Sequence, residues 1–144
     1  MLSARLGRIT ALALVMLLLV GCAQQITGVN FSGIWEGTVT FTQDDKWAGI
    51  AYTLTMVLQQ EGTSLTGEVG FKTPLTSFSI PIERGNATGR SLSLTARGVV
   101  SGIGSPVSVI ITLNGEYNGQ LLRGTGTYTV HGETHTFTWT AQRK

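Results

Sequence analysis

From Phe31 to the C-terminus the chain alternates apolar and polar residues with a period of two, punctuated by glycine-containing turns. Period two is the spacing of side chains on a β-strand. It excludes an amphipathic helix, whose apolar positions recur every three to four residues. Eight stretches carry the pattern, at about 31–42, 49–60, 63–72, 76–84, 90–100, 103–117, 120–131 and 134–142. One face of each is apolar, as in Tyr52, Leu54, Met56 and Leu58, in Leu65, Val69 and Phe71, or in Val107, Val109, Ile111 and Leu113. The other face is rich in threonine, with Thr38, Thr40, Thr42, Thr53 and Thr55 early in the chain and Thr134, Thr136, Thr138 and Thr140 at its end.

A one-residue slip in strand pairing would turn every apolar side chain outward, so the loops test the pattern. Asn118-Gly119 is a two-residue hairpin signal, and it pairs Leu113 with Gly124 and Ile111 with Gly126. Glu61-Gly62 as a loop pairs Leu58 with Leu65 and Leu54 with Val69. Gly132-Glu133 pairs Val130 with His135 and Tyr128 with Phe137, and Ser101-Gly102 pairs Val100 with Ile103 and Ala96 with Val107. All four loops bring apolar face to apolar face. Hairpin following hairpin predicts an all-β fold, an eight-stranded antiparallel up-and-down β-barrel, whose closure removes the exposed edges. Gly33, Gly37, Gly67, Gly124 and Gly126 fall on the inward face, where they make room beside Trp35, Phe137 and Trp139 and let the strands bend.

The first 21 residues have a different character. Arg5 and Arg8 precede an apolar run, Ile9 to Val20, in which Thr10 is the one polar residue, and Gly21 supplies the small residue of a cleavage site. The run is too short for a membrane-spanning helix, which needs about 20 apolar residues. Leu19-Val20-Gly21-Cys22 resembles, position by position, the lipobox of bacterial lipoproteins. The resemblance implies cleavage between Gly21 and Cys22, a diacylglyceryl thioether on Cys22 and an acyl chain on the new amino group. At about 0.8 kcal/mol per buried CH₂, such chains anchor firmly to a membrane. Ala23 and Gln24 follow, with no aspartate. By the enteric-type sorting rule this favours the outer membrane over the inner. The expected organisation is a lipoprotein signal peptide at 1–21, a lipidated cysteine and tether at 22–30, and a β-barrel domain at 31–144. Cys22 is the only cysteine, which excludes an intrachain disulfide.

Removing the leader takes two of the ten Lys and Arg residues and leaves eight basic against eight acidic ones. With no basic cluster, nucleic acid has no electrostatic footprint to bind. The Gly-x-Trp of Gly33-Ile34-Trp35 opens the first strand, and Thr138-Trp139-Thr140-Ala141-Gln142-Arg143 closes the last near an arginine. In this the domain resembles the calycin barrels, the lipocalins and avidins. The resemblance implies that Trp35 closes the barrel base and that Arg143 packs across it. The second and third lipocalin motifs and an avidin biotin site are absent from the sequence.

The expected inward face offers little to react with. It holds no carboxylate pair and no Ser-His-acid arrangement, so neither an enzyme nor a cofactor is expected. His131-Gly132-Glu133-Thr134-His135 has the look of a metal site. The expected register, however, turns His135 inward and His131 outward, and no metal site is expected. His135 would then line a barrel mouth, together with Trp35, Tyr52, Met56, Tyr128, Phe137 and Trp139 as candidate ligand-lining residues. Asp44, Asp45, Lys46 and Trp47 lie in the longest loop, where Trp47 is either a contact for a partner or lipid surface or a lid over the opening. The reading that follows is a membrane-anchored binding module for a small apolar ligand or an envelope partner. The alternatives are a packed structural barrel with no cavity and a small transmembrane barrel.

Overall fold

The computed structural model describes residues 28–74, 76–101 and 104–144. The leader, Gly21, Cys22 and most of the tether lie outside the described residues. Eight strands follow in order: β1 (Gly33–Phe41), β2 (Tyr52–Glu61), β3 (Ser64–Lys72), β4 (Ser77–Thr88), β5 (Ser91–Val100), β6 (Val107–Tyr117), β7 (Leu122–Val130) and β8 (Glu133–Arg143). Each pairs antiparallel with its sequence neighbour, and β8 pairs back onto β1 to close the barrel. This is the expected architecture. Leu54, Ile111 and Phe137, drawn from three separate strands, are fully buried, as are Trp35 and Met56.

The hairpins reach that architecture in registers displaced from the expected ones, always by an even number. Glu61 pairs with Ser64, so Leu58 faces Gly67 and Leu54 faces Phe71. Leu113 faces Gly126 and Ile111 faces Tyr128, because residues 118–121 form a four-residue loop. Asn118 holds that loop. Its side-chain oxygen accepts the N–H groups of Gln120 and Leu121 at 3.0 and 2.8 Å. Val130 pairs with Glu133 and Tyr128 with His135 around His131-Gly132. Both turn residues have positive φ, 52° and 75°, as a type I′ hairpin requires. Val100 pairs with Val107 and Ala96 with Ile111, four residues on from the expected partners, and Gly102 and Ile103 lie outside the described residues. Period two fixes the parity of pairing, so even displacements leave the buried face unchanged.

Strand β4 runs to Thr88, past its expected end at 84. Ile82 pairs with Ala96 but Arg84 pairs with Thr95, so one residue is extra and the strand bulges. The bulge inverts the parity: Ile80 faces inward before it and Ala87 after it, both buried. Alternation in the sequence therefore breaks where the strand continues.

The two ends of the barrel differ. At the base, β2 and β3 join through Gly62-Thr63, β4 and β5 through Gly89-Arg90, and the chain enters and leaves. Residues 28–32 cross this end. Val29 N–H donates to Gly89 O (3.0 Å), and Phe31 N–H donates to Gln60 Oε1 (2.8 Å). Trp35 Nε1–H donates to Phe31 O at 2.9 Å, the Arg143 guanidinium lies 4.7 Å above the Trp35 ring, and Tyr117 meets that ring edge-on at 5.8 Å. The base is thus plugged. The mouth carries the β1–β2, β3–β4, β5–β6 and β7–β8 connections, with β1–β2, at 42–51, the longest. Among the described residues, one apolar cluster drawn from all eight strands fills the closed barrel.

Candidate functional site at the barrel mouth

The β1–β2 loop folds back over the mouth because its own backbone turns it. Asp45 N–H donates to Thr42 O, Ala48 N–H to Asp45 O and Ile50 N–H to Trp47 O, at 3.0, 2.9 and 3.2 Å. Asp45 Oδ1 accepts the Trp47 N–H at 2.8 Å, the side-chain turn that aspartate favours. Trp47 is thereby laid flat on His135, with ring centroids 3.8 Å apart and planes 20° from parallel. It also packs edge-on against Phe41 at 5.3 Å and Tyr128 at 5.2 Å. Of the two roles open to Trp47, the structure shows the lid.

The flap is clasped by polar side chains. Asp45 Oδ2 lies 2.6 Å from His135 Nδ1, with the two side chains only 10% and 6% exposed. Burial raises the Asp45 pKa, but the Trp47 N–H, His135 and Lys46 more than offset it and hold the carboxyl below its ordinary value. At neutral pH Asp45 is therefore an acceptor only, and Nδ1–H of His135 is the donor. Outside this pair, Lys46 Nζ lies 2.7 Å from Glu133 Oε2, and the Lys46 hydrogen bond lowers the Glu133 pKa. His135 Nε2 is buried 3.5 Å from Glu133 Oε2 and makes no hydrogen bond among the described residues. His131 is exposed on the turn, away from His135. Among the described residues no group of three His, Cys, Asp or Glu side chains is placed to hold a metal.

Beside the flap is a half-open hollow of about 550 Å³, between the β1–β2 and β3–β4 connections. Phe41, Trp47, Tyr52, Phe71, Phe78 and Tyr128 line it with aromatic surface, and Ile50, Ala51, Pro74, Thr73 and Thr76 complete its rim. No charged side chain contributes to the lining. Burial pushes the Tyr128 phenol up to about 12, with Tyr52 adding to the rise, and burial and Asp45 raise Tyr52 as well. The other concavities run along outward-facing strand residues such as Ser93, Thr125 and Thr138.

The seven residues expected to line a ligand site divide by height in the barrel. Tyr52 and Tyr128 line the hollow. His135 is at the same end but sealed behind Trp47 and Asp45. Phe137 lies directly beneath, 5.5 Å from Phe41 and 5.7 Å from Phe71. Trp35, Met56 and Trp139 belong to the solid core, Trp35 at the plugged base, and do not reach the hollow. Phe41, Phe71 and Phe78 were not anticipated. The signal for them was their position, since each sits within two residues of the mouth end of its strand.

Comparison with protein-family models, curated proteins and solved structures finds no match to this chain. What the fold and site define is a closed eight-stranded antiparallel barrel, solid through most of its length, with a lidded aromatic hollow at one end.

Proposed function

We propose that the protein is a lipid-anchored component of a bacterial envelope and a non-catalytic binding module whose ligand is a small apolar molecule. The observation that carries the reading is the hollow itself: about 550 Å³, half-open and lined by six aromatic side chains, in a barrel otherwise packed with apolar residues. That volume falls within the range of small-molecule sites. The titratable cluster beside it, Asp45, His135, Glu133 and Lys46, is engaged in holding the flap, which supports binding over catalysis.

The anchor is read from the lipobox residues, with a diacylglyceryl thioether on Cys22, cleavage after Gly21 and outer membrane favoured over inner. The tether joins the barrel at its base. Strands of nine to twelve residues, tilted as in closed barrels, separate the mouth from that end by about 25 Å, which supports a mouth open to the aqueous side. A lipid-embedded barrel is disfavoured by the outer strand faces, where the exposed large apolar residues among those described are only Ile34, Val57 and Val99. A purely structural barrel remains the second reading, favoured by the packed interior below Phe71 and Phe137.

Native mass spectrometry of the protein purified from its own host tests the reading. A retained small molecule that Ala51→Trp, which fills the hollow, displaces is the expected result. A bare mass for the unaltered protein under conditions that preserve the fold contradicts it.

A further inference from the structure

We infer that the mouth hollow takes a compact, uncharged, ring-bearing molecule with a hydroxyl or carbonyl group, drawn from the aqueous side, and excludes long acyl chains. The inference rests on the reading of the hollow as a ligand site and adds the chemistry of the ligand.

Depth sets the first limit. The hollow ends on Phe71, and beneath it Phe137, Leu54 and Ile111 are fully buried, so no channel continues down the barrel axis. A long chain would have nowhere to extend. A squat ligand of one or two rings fills the available space. The wall sets the second limit. Phe41 meets Trp47, Tyr52 and Phe137 at 84°, 69° and 66°, and Trp47 meets Tyr128 at 70°, all with centroids 5.1–5.5 Å apart. This is an edge-to-face network into which one more aromatic ring fits as the next member.

Charge sets the third. The lining holds no ionic side chain to neutralise a charged ligand. The nearest carboxylate, Asp45, is bonded to His135 and the Trp47 N–H, and Lys46 is bonded to Glu133. Burying an unpaired charge there would be costly. Two of the lining groups left for a ligand are the Tyr52 and Tyr128 hydroxyls, neither of which is hydrogen-bonded to any described residue. Across the β3–β4 turn the Thr73 hydroxyl is taken up by the Thr76 backbone, while the Thr76 hydroxyl on the rim makes no hydrogen bond to any described residue. Two phenols, one from β2 and one from β7, match a hydroxyl or carbonyl on a flat apolar body. The end at which the tether enters is the plugged one, so with the chain anchored through that tether the ligand arrives through water.

Three probes, 2-naphthol, palmitate and choline, discriminate the chemistries when titrated against the host-purified protein freed of any bound molecule, with Trp fluorescence and calorimetry as readouts. 2-Naphthol binds saturably and quenches Trp47, while palmitate and choline do not saturate over the same range. Ala51→Trp abolishes the naphthol signal. Tyr52→Phe and Tyr128→Phe each weaken it about fivefold without changing the thermal unfolding curve. Palmitate or choline binding more tightly than 2-naphthol overturns the inference, as does naphthol binding indifferent to both tyrosine variants. If the host-purified protein retains a molecule yet no ring probe binds, the ligand chemistry is wrong and the ligand site stands. A bare native mass with no probe bound ends both.

Discussion

Gly37 is where the barrel closes, and it supplies a quantitative test of the packing. It pairs with Leu54 on β2 and Ala141 on β8. A Cβ on Gly37 would lie 1.6 Å from the Thr140 carbonyl oxygen and 2.6 Å from the Ala141 Cα. Both are backbone atoms, so no rotamer change relieves the clash. To bring the oxygen contact from 1.6 Å to 3.0 Å, β8 must retreat by about 1.4 Å. Ladder hydrogen bonds span about 2.9 Å and do not survive such a displacement. Losing two of them at about 1 kcal/mol each, with about 1–3 kcal/mol of overpacking, gives a cost of roughly 3–5 kcal/mol for Gly37→Ala. For a domain of this size that lowers Tm by roughly 10–20 °C. Two other glycines calibrate the result. A Cβ on Gly70 meets the Phe78 carbonyl at 3.0 Å, and one on Gly28 meets nothing within 4 Å. Gly70→Ala should be within about 1 kcal/mol of neutral, and Gly28→Ala neutral or stabilising by up to about 0.5 kcal/mol through the unfolded chain. Thermal and urea unfolding followed by circular dichroism give the three values. Gly37→Ala unfolding within 3 °C of the parent, or a reversed order, would refute the closure geometry.

Other outcomes follow from the mouth and the anchor. The Asp45 carboxyl is held below its ordinary value, so its contribution to the closed flap is complete above about pH 4 and is lost as pH falls through the lowered value. Trp47 emission should shift red over that acid range, and Asp45→Asn should give the shifted spectrum already at pH 7. The raised Tyr128 phenol acts in the opposite direction: its contribution is complete below pH 10 and fades as pH climbs towards about 12. Tyr128→Phe should flatten the alkaline arm of a stability profile, with phenolate absorbance reporting the titration in the parent. Cys22→Ser should abolish membrane fractionation and leave an unprocessed precursor, and normal maturation of that variant would remove the anchor.

Strand count, order and buried face could be read from the sequence because alternation is a local signal repeated in every strand. Register could not, because the hairpins Glu61–Ser64, Val130–Glu133 and Tyr117–Leu122 differ from the expected ones by steps that preserve parity. The β4 bulge hid a strand end for the converse reason, since an inserted residue reverses parity while pairing continues. The candidate site was half legible. Tyr52, Tyr128 and His135 could be placed on the inward face, but Trp35, Met56 and Trp139 share that face lower down. Alternation carries no information about height along the barrel axis. The Asp45–His135 contact joins residues ninety positions apart through a loop whose path only its own hydrogen bonds decide.

Amide hydrogen exchange on the host-purified protein, before and after removal of the molecule it carries, tests most directly that ligand and flap meet at the mouth of a solid barrel. The account predicts that the occupied protein shows slowed exchange at 42–51 and 73–76, while the turns at 62–63 and 89–90 and the centres of the strands are unchanged. Protection appearing instead at the base turns, or a flap that exchanges identically in both states, would contradict it.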